Sequence, residues 1–164
     1  MKIVSIKDIS PSSLKNFDCG IIPLNLFLKE YALKNDRNNI GRTFVLIDNN
    51  DVVGYITLAT THVINEEMPE DYKKHFPKYP VPGVRIARLA VGLEHRCKGY
   101  GKQLILFAFK QILLAATQIG IKVVVVDAKE ESKSFYEHYG FLPLVENTNT
   151  YILPIETIIK ALID

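Results

Sequence analysis

Apolar and polar positions follow two periods along this chain, one of two residues and one near four. Lys2 to Ile6 alternates and predicts an opening strand. Ser10 followed by Pro11 is a helix-start signal, a capping hydroxyl and then a proline at the first helical position, for a short helix ending near Asn16. Phe17-Asp18-Cys19-Gly20 reads as a turn. Leu24, Phe27, Leu28 and Tyr31 stand at helical spacing and predict a helix from about Pro23 to Lys34, with these four as core anchors. Asn35 to Arg42 reads as a polar, basic loop. Thr43 to Ile47 and Val52 to Thr61 are β-rich runs around Asp48-Asn49-Asn50-Asp51, the pattern of a hairpin. Asn65 to Gly83 carries four prolines and mixed charge and reads as a surface insertion.

Val84 to Val91 is an apolar, β-branched run and predicts a buried central strand. A long helix is expected from about Gly99 to Ile119, with Leu104, Ala108, Ile112, Ala115 and Ile119 as its buried stripe and Gly120 ending it. Ile121 to Val126 is almost unbroken in apolar residues, which predicts a strand covered on both faces. Lys129 to Tyr139 predicts a helix stopped by Gly140, Phe141 to Val145 and Thr150 to Leu153 a last strand pair, and Ile155 to Leu162 a short helix. The strand-helix-strand unit from Val84 to Val126 calls for a right-handed crossover between parallel strands, and the rest is hairpins. The class is α/β with a mixed sheet. At 164 residues, without repeats or a linker, the expectation is one domain spanning 1–164.

Composition narrows the partners. A 48% apolar content is ample for one core, and a net charge of +2 is not that of a polycation. The charge is uneven: six basic residues and one acid, Glu94, lie between Arg85 and Lys110, against four acids and no base from Glu66 to Asp71. A local basic face suits a phosphate-bearing ligand. Two cysteines, Cys19 and Cys97, give neither a disulfide framework nor zinc spacing, and both are expected as reduced thiols in a cytoplasmic protein. No apolar run reaches the ~20 residues that span a bilayer, and the alternating N-terminus with an early acid reads as a strand, not a signal peptide.

The candidate chemistry sits at Arg96-Cys97-Lys98-Gly99-Tyr100-Gly101-Lys102. A glycine-bearing loop that opens a helix offers unpaired N–H groups and the positive end of the helix dipole to an anion. Arg96, Lys98 and Lys102 add charge, and Gly99 and Gly101 let the backbone approach a phosphate. The same glycines also suit a tight connection with a glycine cap. A dinucleotide fingerprint would need a third glycine and a P-loop would need Gly-Lys-Ser/Thr; Gly101-Lys102-Gln103 supplies neither.

Arg96-x-x-Gly99-x-Gly101 after an apolar strand resembles the acyl-CoA pyrophosphate loop of the GNAT superfamily of N-acyltransferases. Phe135-Tyr136-Glu137-His138-Tyr139-Gly140-Phe141 matches that family's Phe-Tyr-x-x-x-Gly-Phe pattern. The resemblance runs from about Phe17 to Pro154. It implies a GNAT-like single domain: a mixed, mostly antiparallel sheet with a central splayed parallel strand pair and flanking helices. It implies acetyl-CoA as cosubstrate. The pantetheine arm would pair with the main chain of Leu89, Ala90 and Val91. The pyrophosphate would rest on the N–H groups of Arg96, Cys97, Lys98, Gly99, Tyr100, Gly101 and Lys102, and Ser132 and Phe135 would lie against the cofactor. Tyr136 would be the general acid toward the departing thiolate, or would pack on the cofactor arm. Tyr139 and Phe141 are read as scaffold and His138 as solvated. A main-chain N–H of the Leu89–Val91 strand would stabilise the oxyanion.

Many relatives carry a glutamate on the central strand as a base acting through water. This strand carries Arg85 and Arg88 and no acid. A lysine amine, with pKa near ~10.4, needs substantial help to lose its proton, whereas an α-amine near ~8 needs much less. The missing base argues for an α-amine acceptor, with Glu66 or Glu67 as the alternative base. A narrower likeness points the same way. Phe17-Asp18-Cys19-Gly20, Leu24 to Leu28, Arg42-Thr43-Phe44-Val45, Arg88-Leu89-Ala90-Val91 and Tyr151-Ile152-Leu153-Pro154 look like the toxin branch of the superfamily. Those enzymes acetylate aminoacyl-tRNA, are usually paired with a ribbon-helix-helix antitoxin, and commonly form homodimers. Arg37, Arg42, Arg85 and Arg88, with Lys98 and Lys102, are then candidates for tRNA contacts; several also read as ordinary solvated charges. Two departures are the low net charge and Ser132, where an alanine is usual. The rival readings are a housekeeping acetyltransferase for a small amine, peptide or protein, and a cofactor-binding module that no longer catalyses.

Overall fold

The computed structural model describes residues 1–145 and 147–163. The strands follow the order β1-β2-β3-β4-β5-β7-β6 in a seven-stranded mixed sheet, with β1 at Lys2–Ser5, β2 at Arg42–Asp48, β3 at Asp51–Val63, β4 at Val81–Val91, β5 at Val123–Asp127, β6 at Leu142–Pro143 and β7 at Thr150–Pro154. The chain divides into two compact units, Met1–Ala59 with Ala87–Ala108, and Thr60–Ile86 with Phe109–Asp164.

In the first unit, β1 and β3 flank β2 in antiparallel register. The hairpin is as expected, and its turn has a physical cause. Asn49 and Asn50 sit at φ 50° and 68°, the left-handed pair that matches the right-handed twist of the strands, and asparagine tolerates it better than other side-chain-bearing residues. The predicted helix from Pro23 to Lys34 is present but not uniform. It runs as α1 (Ile22–Leu26), a π-helical turn at Phe27–Tyr31 and α2 (Ala32–Arg37). The expected basic loop is therefore shorter, since α2 takes its first half. Phe27 and Leu28 are buried, as predicted, but Tyr31 is exposed and Leu24 only partly covered. Tyr55 fills the centre of this core. Phe17 meets its ring edge-on at 5.7 Å, Phe27 stacks at 6.2 Å, and its hydroxyl donates to the Leu24 carbonyl at 2.8 Å. The Ser10-Pro11 start yields only a 3-10 turn, Pro11–Leu14; the Ser10 hydroxyl bonds that of Ser12 at 2.9 Å and caps nothing.

In the second unit, β4 and β5 run parallel, from Gly83 opposite Val123 to Ile86 opposite Val126, and β7 lies antiparallel between β5 and β6. Val123 to Val126 are all buried, as the unbroken apolar run required. β4 begins at Val81, three positions earlier than predicted, because the end of the proline-rich stretch joins the sheet. The rest of that stretch is not a plain surface insertion. It contains a short α3 (Glu70–Lys73), buries Met68 and Phe76, and receives the Val145 N–H at the Glu67 carbonyl.

Helix α4 (Tyr100–Ala116) connects β4 to β5. Its buried stripe holds at Leu104, Ala108 and Ile112 and fails at Ala115 and Ile119, both exposed. The helix ends at Ala116, one residue after Ala115 and before Ile119, with the Thr117 hydroxyl turned back onto the Leu114 carbonyl at 2.7 Å, so Gly120 is not its terminator. Helix α5 (Lys133–His138) is preceded by a 3-10 turn at Glu130–Ser132 and stopped by Gly140 at φ 93°; α6 (Ile155–Ile163) follows β7. Among the described residues, no helix is long and apolar enough to cross a membrane.

Candidate active site

The loop from Gly92 to α4 has the local form that the sequence suggested. A 3-10 turn at Leu93–His95 follows β4, Cys97 and Gly99 adopt φ 62° and 82°, and Gln103 is bonded back to the Gly99 carbonyl at 3.1 Å. The N–H groups ahead of Gln103 have no carbonyl one turn back to bond, so they face outward at the positive end of a 17-residue helix. Arg96, Cys97, Lys98, Gly99 and Lys102 are exposed, and a Cβ built on Gly99 meets nothing within 4 Å. A pyrophosphate fits such a loop: open space, unpaired N–H groups and the cations of Lys98 and Lys102. Acetyl-CoA would therefore be held by the main chain from Arg96 to Lys102, and the chemistry that it supplies is an activated acetyl thioester.

Two loop side chains do structural work. The Arg96 guanidinium donates to the Cys19 carbonyl at 2.7 Å, which ties the loop to the N-terminal segment. Tyr100 is buried, lies beside His95 with ring centroids 6.1 Å apart, and donates its hydroxyl to Asp48 at 2.6 Å. That bond to a carboxylate raises the Tyr100 phenol pKa. These two side chains are therefore occupied within the protein, and only their N–H groups would be left for a cofactor. Upstream, the backbone of β3 comes very close to β4. A Cβ on Gly54 would lie 2.9 Å from the Ala90 carbonyl, so any side chain there would push against the Leu89–Val91 segment.

Tyr136 sits in the second unit on α5. Its ring meets Phe135 edge-on at 5.2 Å and Phe141 at 5.5 Å, and only 5% of the residue is exposed. Burial pushes its phenol well above the ordinary tyrosine range, so it is a protonated group at neutral pH. Glu137, the next residue, accepts a hydrogen bond from the Tyr151 hydroxyl at 2.7 Å; this fixes α5 to β7 and pushes the Tyr151 phenol up to about 12. Phe141 is buried and His138 exposed, as read from sequence; Ser132 and Phe135 are half-buried on the same short helical segment.

The four candidate arginines have different surroundings. Arg37 is exposed at the end of α2. Arg42 opens β2 and bonds the Asp36 carbonyl at 2.8 Å, the Asp36 carboxylate at 3.3 Å and Asn39 at 2.8 Å. Arg85 is paired with Asp127 in the second unit. Arg88 lies with its guanidinium 3.6 Å from the centroid of the Phe27 ring. The first unit thus gathers Arg37, Arg42, Arg88 and the phosphate loop, while Arg85, Ser132, Phe135 and Tyr136 belong to the second.

Two functional neighbours escaped the sequence reading. Asp36 is a fully buried carboxylate that collects Arg42, Lys7 at 3.5 Å and the Thr43 N–H at 3.0 Å. Its signal was present as one acid amid Lys34, Arg37 and Arg42. Phe27 was read as a core anchor; that it also carries Arg88 on its face had no sequence signal.

Residues 39–143 match the family described as Acetyltransferase (GNAT) domain. The chain is 32% identical over 127 residues to a tRNA-acetylating toxin of Mycobacterium tuberculosis (strain ATCC 25618 / H37Rv), covering 77% of this chain and 76% of the relative. Among solved structures, AtaT complexed with acetyl-methionyl-tRNAfMet superposes with a TM-score of 0.90 at 31% identity, with 99% of each chain covered. An AtaT mutant toxin bound to the C-terminus of the antitoxin AtaR and acetyl-CoA gives 0.82 at 28% identity, over 99% of this chain and 98% of that one. On the family match and these likenesses together, this chain belongs to the GNAT acetyltransferases and is an N-acetyltransferase that uses acetyl-CoA.

Proposed function

We propose that this protein, acting as one catalytic domain over 1–164, transfers the acetyl group of acetyl-CoA to the α-amine of an aminoacyl-tRNA and so blocks translation. The observation that carries this reading is the superposition with AtaT in complex with acetyl-methionyl-tRNA, in which each chain is covered almost completely. The chemistry of β4 supports it. That strand bears Arg85 and Arg88 and no carboxylate. A guanidinium beside an amine disfavours the ammonium form and so helps expose the nucleophilic lone pair without a dedicated base. An α-amine needs only a small push of this kind, whereas a lysine amine would need a far larger one.

In this reading the N–H groups from Arg96 to Lys102 hold the pyrophosphate, and the main chain of Leu89, Ala90 and Val91 pairs with the pantetheine arm. A main-chain N–H of that segment stabilises the developing oxyanion. Tyr136 gives its phenolic proton to the departing thiolate. Burial keeps Tyr136 protonated, so the proton is in place when the thiolate departs. Ser132 and Phe135 flank that tyrosine against the cofactor. Arg37, Arg42, Arg85 and Arg88 contact tRNA. A ribbon-helix-helix antitoxin, a homodimeric enzyme and a cytoplasmic setting complete the proposal.

The experiment is acetyl transfer from labelled acetyl-CoA to total charged tRNA, with uncharged tRNA and a mixture of polyamines and peptides alongside. Label on charged tRNA alone is the expected result. Label on small amines alone would make the protein a housekeeping acetyltransferase.

A further inference from the structure

We propose that the cavity beside Arg88 receives the side chain of the acceptor's aminoacyl group and selects an uncharged aliphatic one; this rests on the aminoacyl-tRNA reading above. The cavity measures about 110 Å3, and its walls are mostly apolar or small, with Phe27, Ile40, Ala59 and Ala87 against Asn35 and Arg88, all in the first unit. It is built on the π-helical turn that starts at Phe27, a helix irregularity often found at functional sites.

Size comes first. An apolar cavity of ~150 Å3 takes a benzene ring, so about three-quarters of that volume takes roughly four heavy atoms. Leucine, isoleucine and methionine side chains fit this measure, and aromatic side chains exceed it. Polarity comes second. The hydroxyls of Thr43 and Thr57, both buried and both at the cavity wall, bond each other at 2.7 Å. Each hydroxyl thus has a partner within the protein. Charge comes third. Arg88 places a guanidinium charge at the cavity wall. One face of its guanidinium is covered by Phe27, and among the described residues of its own unit no carboxylate is paired with it. A lysyl or arginyl side chain in this cavity would meet an uncompensated like charge, which is a means of rejection. Position comes last. Ala87 and Arg88 directly precede Leu89, Ala90 and Val91, and a strand advances only ~3.3 Å per residue, so the α-amine of a group seated here is a short reach from the segment assigned to the cofactor arm.

The test charges one tRNA body in turn with glycine, methionine, leucine, phenylalanine and lysine and times acetyl transfer from labelled acetyl-CoA. The matching amino-acid amides serve as free acceptors, and their binding without acetyl-CoA is followed by NMR. Methionine and leucine should exceed phenylalanine and lysine by about tenfold or more in rate, with the same order in amide binding. Ala59→Leu should lower the methionine-to-glycine ratio by about tenfold. Arg88→Gln, which leaves the cavity walls in place, should raise lysine relative to methionine. Equal rates for all side chains, unchanged ratios in both variants, or no amide binding with no transfer would overturn the pocket. Ordered transfer to amides with none to charged tRNA would overturn the aminoacyl-tRNA reading and support the pocket.

Discussion

The guanidinium of Arg96 donates to the main-chain carbonyl of Cys19, 77 positions away in sequence, at 2.7 Å. The residue that most suggests a phosphate ligand in the sequence is thus employed as an anchor for the loop that carries the other donors. A hydrogen bond from a charged donor contributes about 1.5–3 kcal/mol. Arg96→Ala should therefore raise the acetyl-CoA KM by about tenfold or more, with kcat reduced far less. Arg96→Gln, which keeps a donor and loses the charge, should recover most of that loss. Steady-state kinetics on the two variants checks this, and equal damage in both would mean that the charge itself contacts the cofactor.

Tyr136 is buried among Phe135 and Phe141 and stays protonated well above neutral pH. Tyr136→Phe should cut kcat by about 10^2-fold or more, the usual weight of a positioned acid, while acetyl-CoA binding by calorimetry stays nearly unchanged. The raised pKa also gives a sign for stability. An unfolded tyrosine ionises near pH ~10, whereas buried Tyr136 does not, so its contribution to stability is complete below that pH and is lost as pH rises above it. Tyr151, held up to about 12 by Glu137, acts in the same direction. Melting temperature should fall from about pH 10 upward, and less steeply in a Tyr136→Phe variant.

Arg88 is assigned a second measurable effect. If its charge helps the bound acceptor amine to lose a proton, Arg88→Gln should move the acidic limb of the kcat profile to higher pH, with unchanged acetyl-CoA affinity. A limb that does not move would leave Arg88 to side-chain selection alone.

Asp36 binds Lys7, Arg42 and the Thr43 N–H while fully buried. Its cationic partners Lys7 and Arg42 are about half exposed, so removing the carboxylate leaves mainly the buried Thr43 N–H without an acceptor, at about 1–3 kcal/mol. Asp36→Ala should lower the denaturation midpoint accordingly, whereas Arg37→Ala, at an exposed site, should leave it in place and weaken only tRNA-dependent transfer. Urea unfolding and the charged-tRNA assay separate the two.

Much of this was legible beforehand because the deciding physics is local. The hairpin follows from Asp48-Asn49-Asn50-Asp51, the buried parallel strand from Val123 to Val126, and the form of the loop ahead of α4 from its glycines. What stayed hidden depends on distant partners. The π-turn at Phe27 breaks no sequence rule, since Leu24, Phe27 and Leu28 keep helical spacing across it. Ala115 and Ile119 continue the periodicity of α4 past the point where the helix has anything left to cover. Arg96 bonding Cys19 and Arg88 lying over Phe27 join elements that no local pattern connects.

Strand β7 has one further consequence, in the timing of synthesis. It lies between β5 and β6 although it follows both in the chain, and Tyr151 within it bonds Glu137, the neighbour of Tyr136. While the nascent chain is still short of Tyr151, that tie on α5 cannot form. Chains fold as they emerge, first segments first. The helix that carries Tyr136 is thus tied down only after the ribosome making the chain has read past β7, which ends at Pro154.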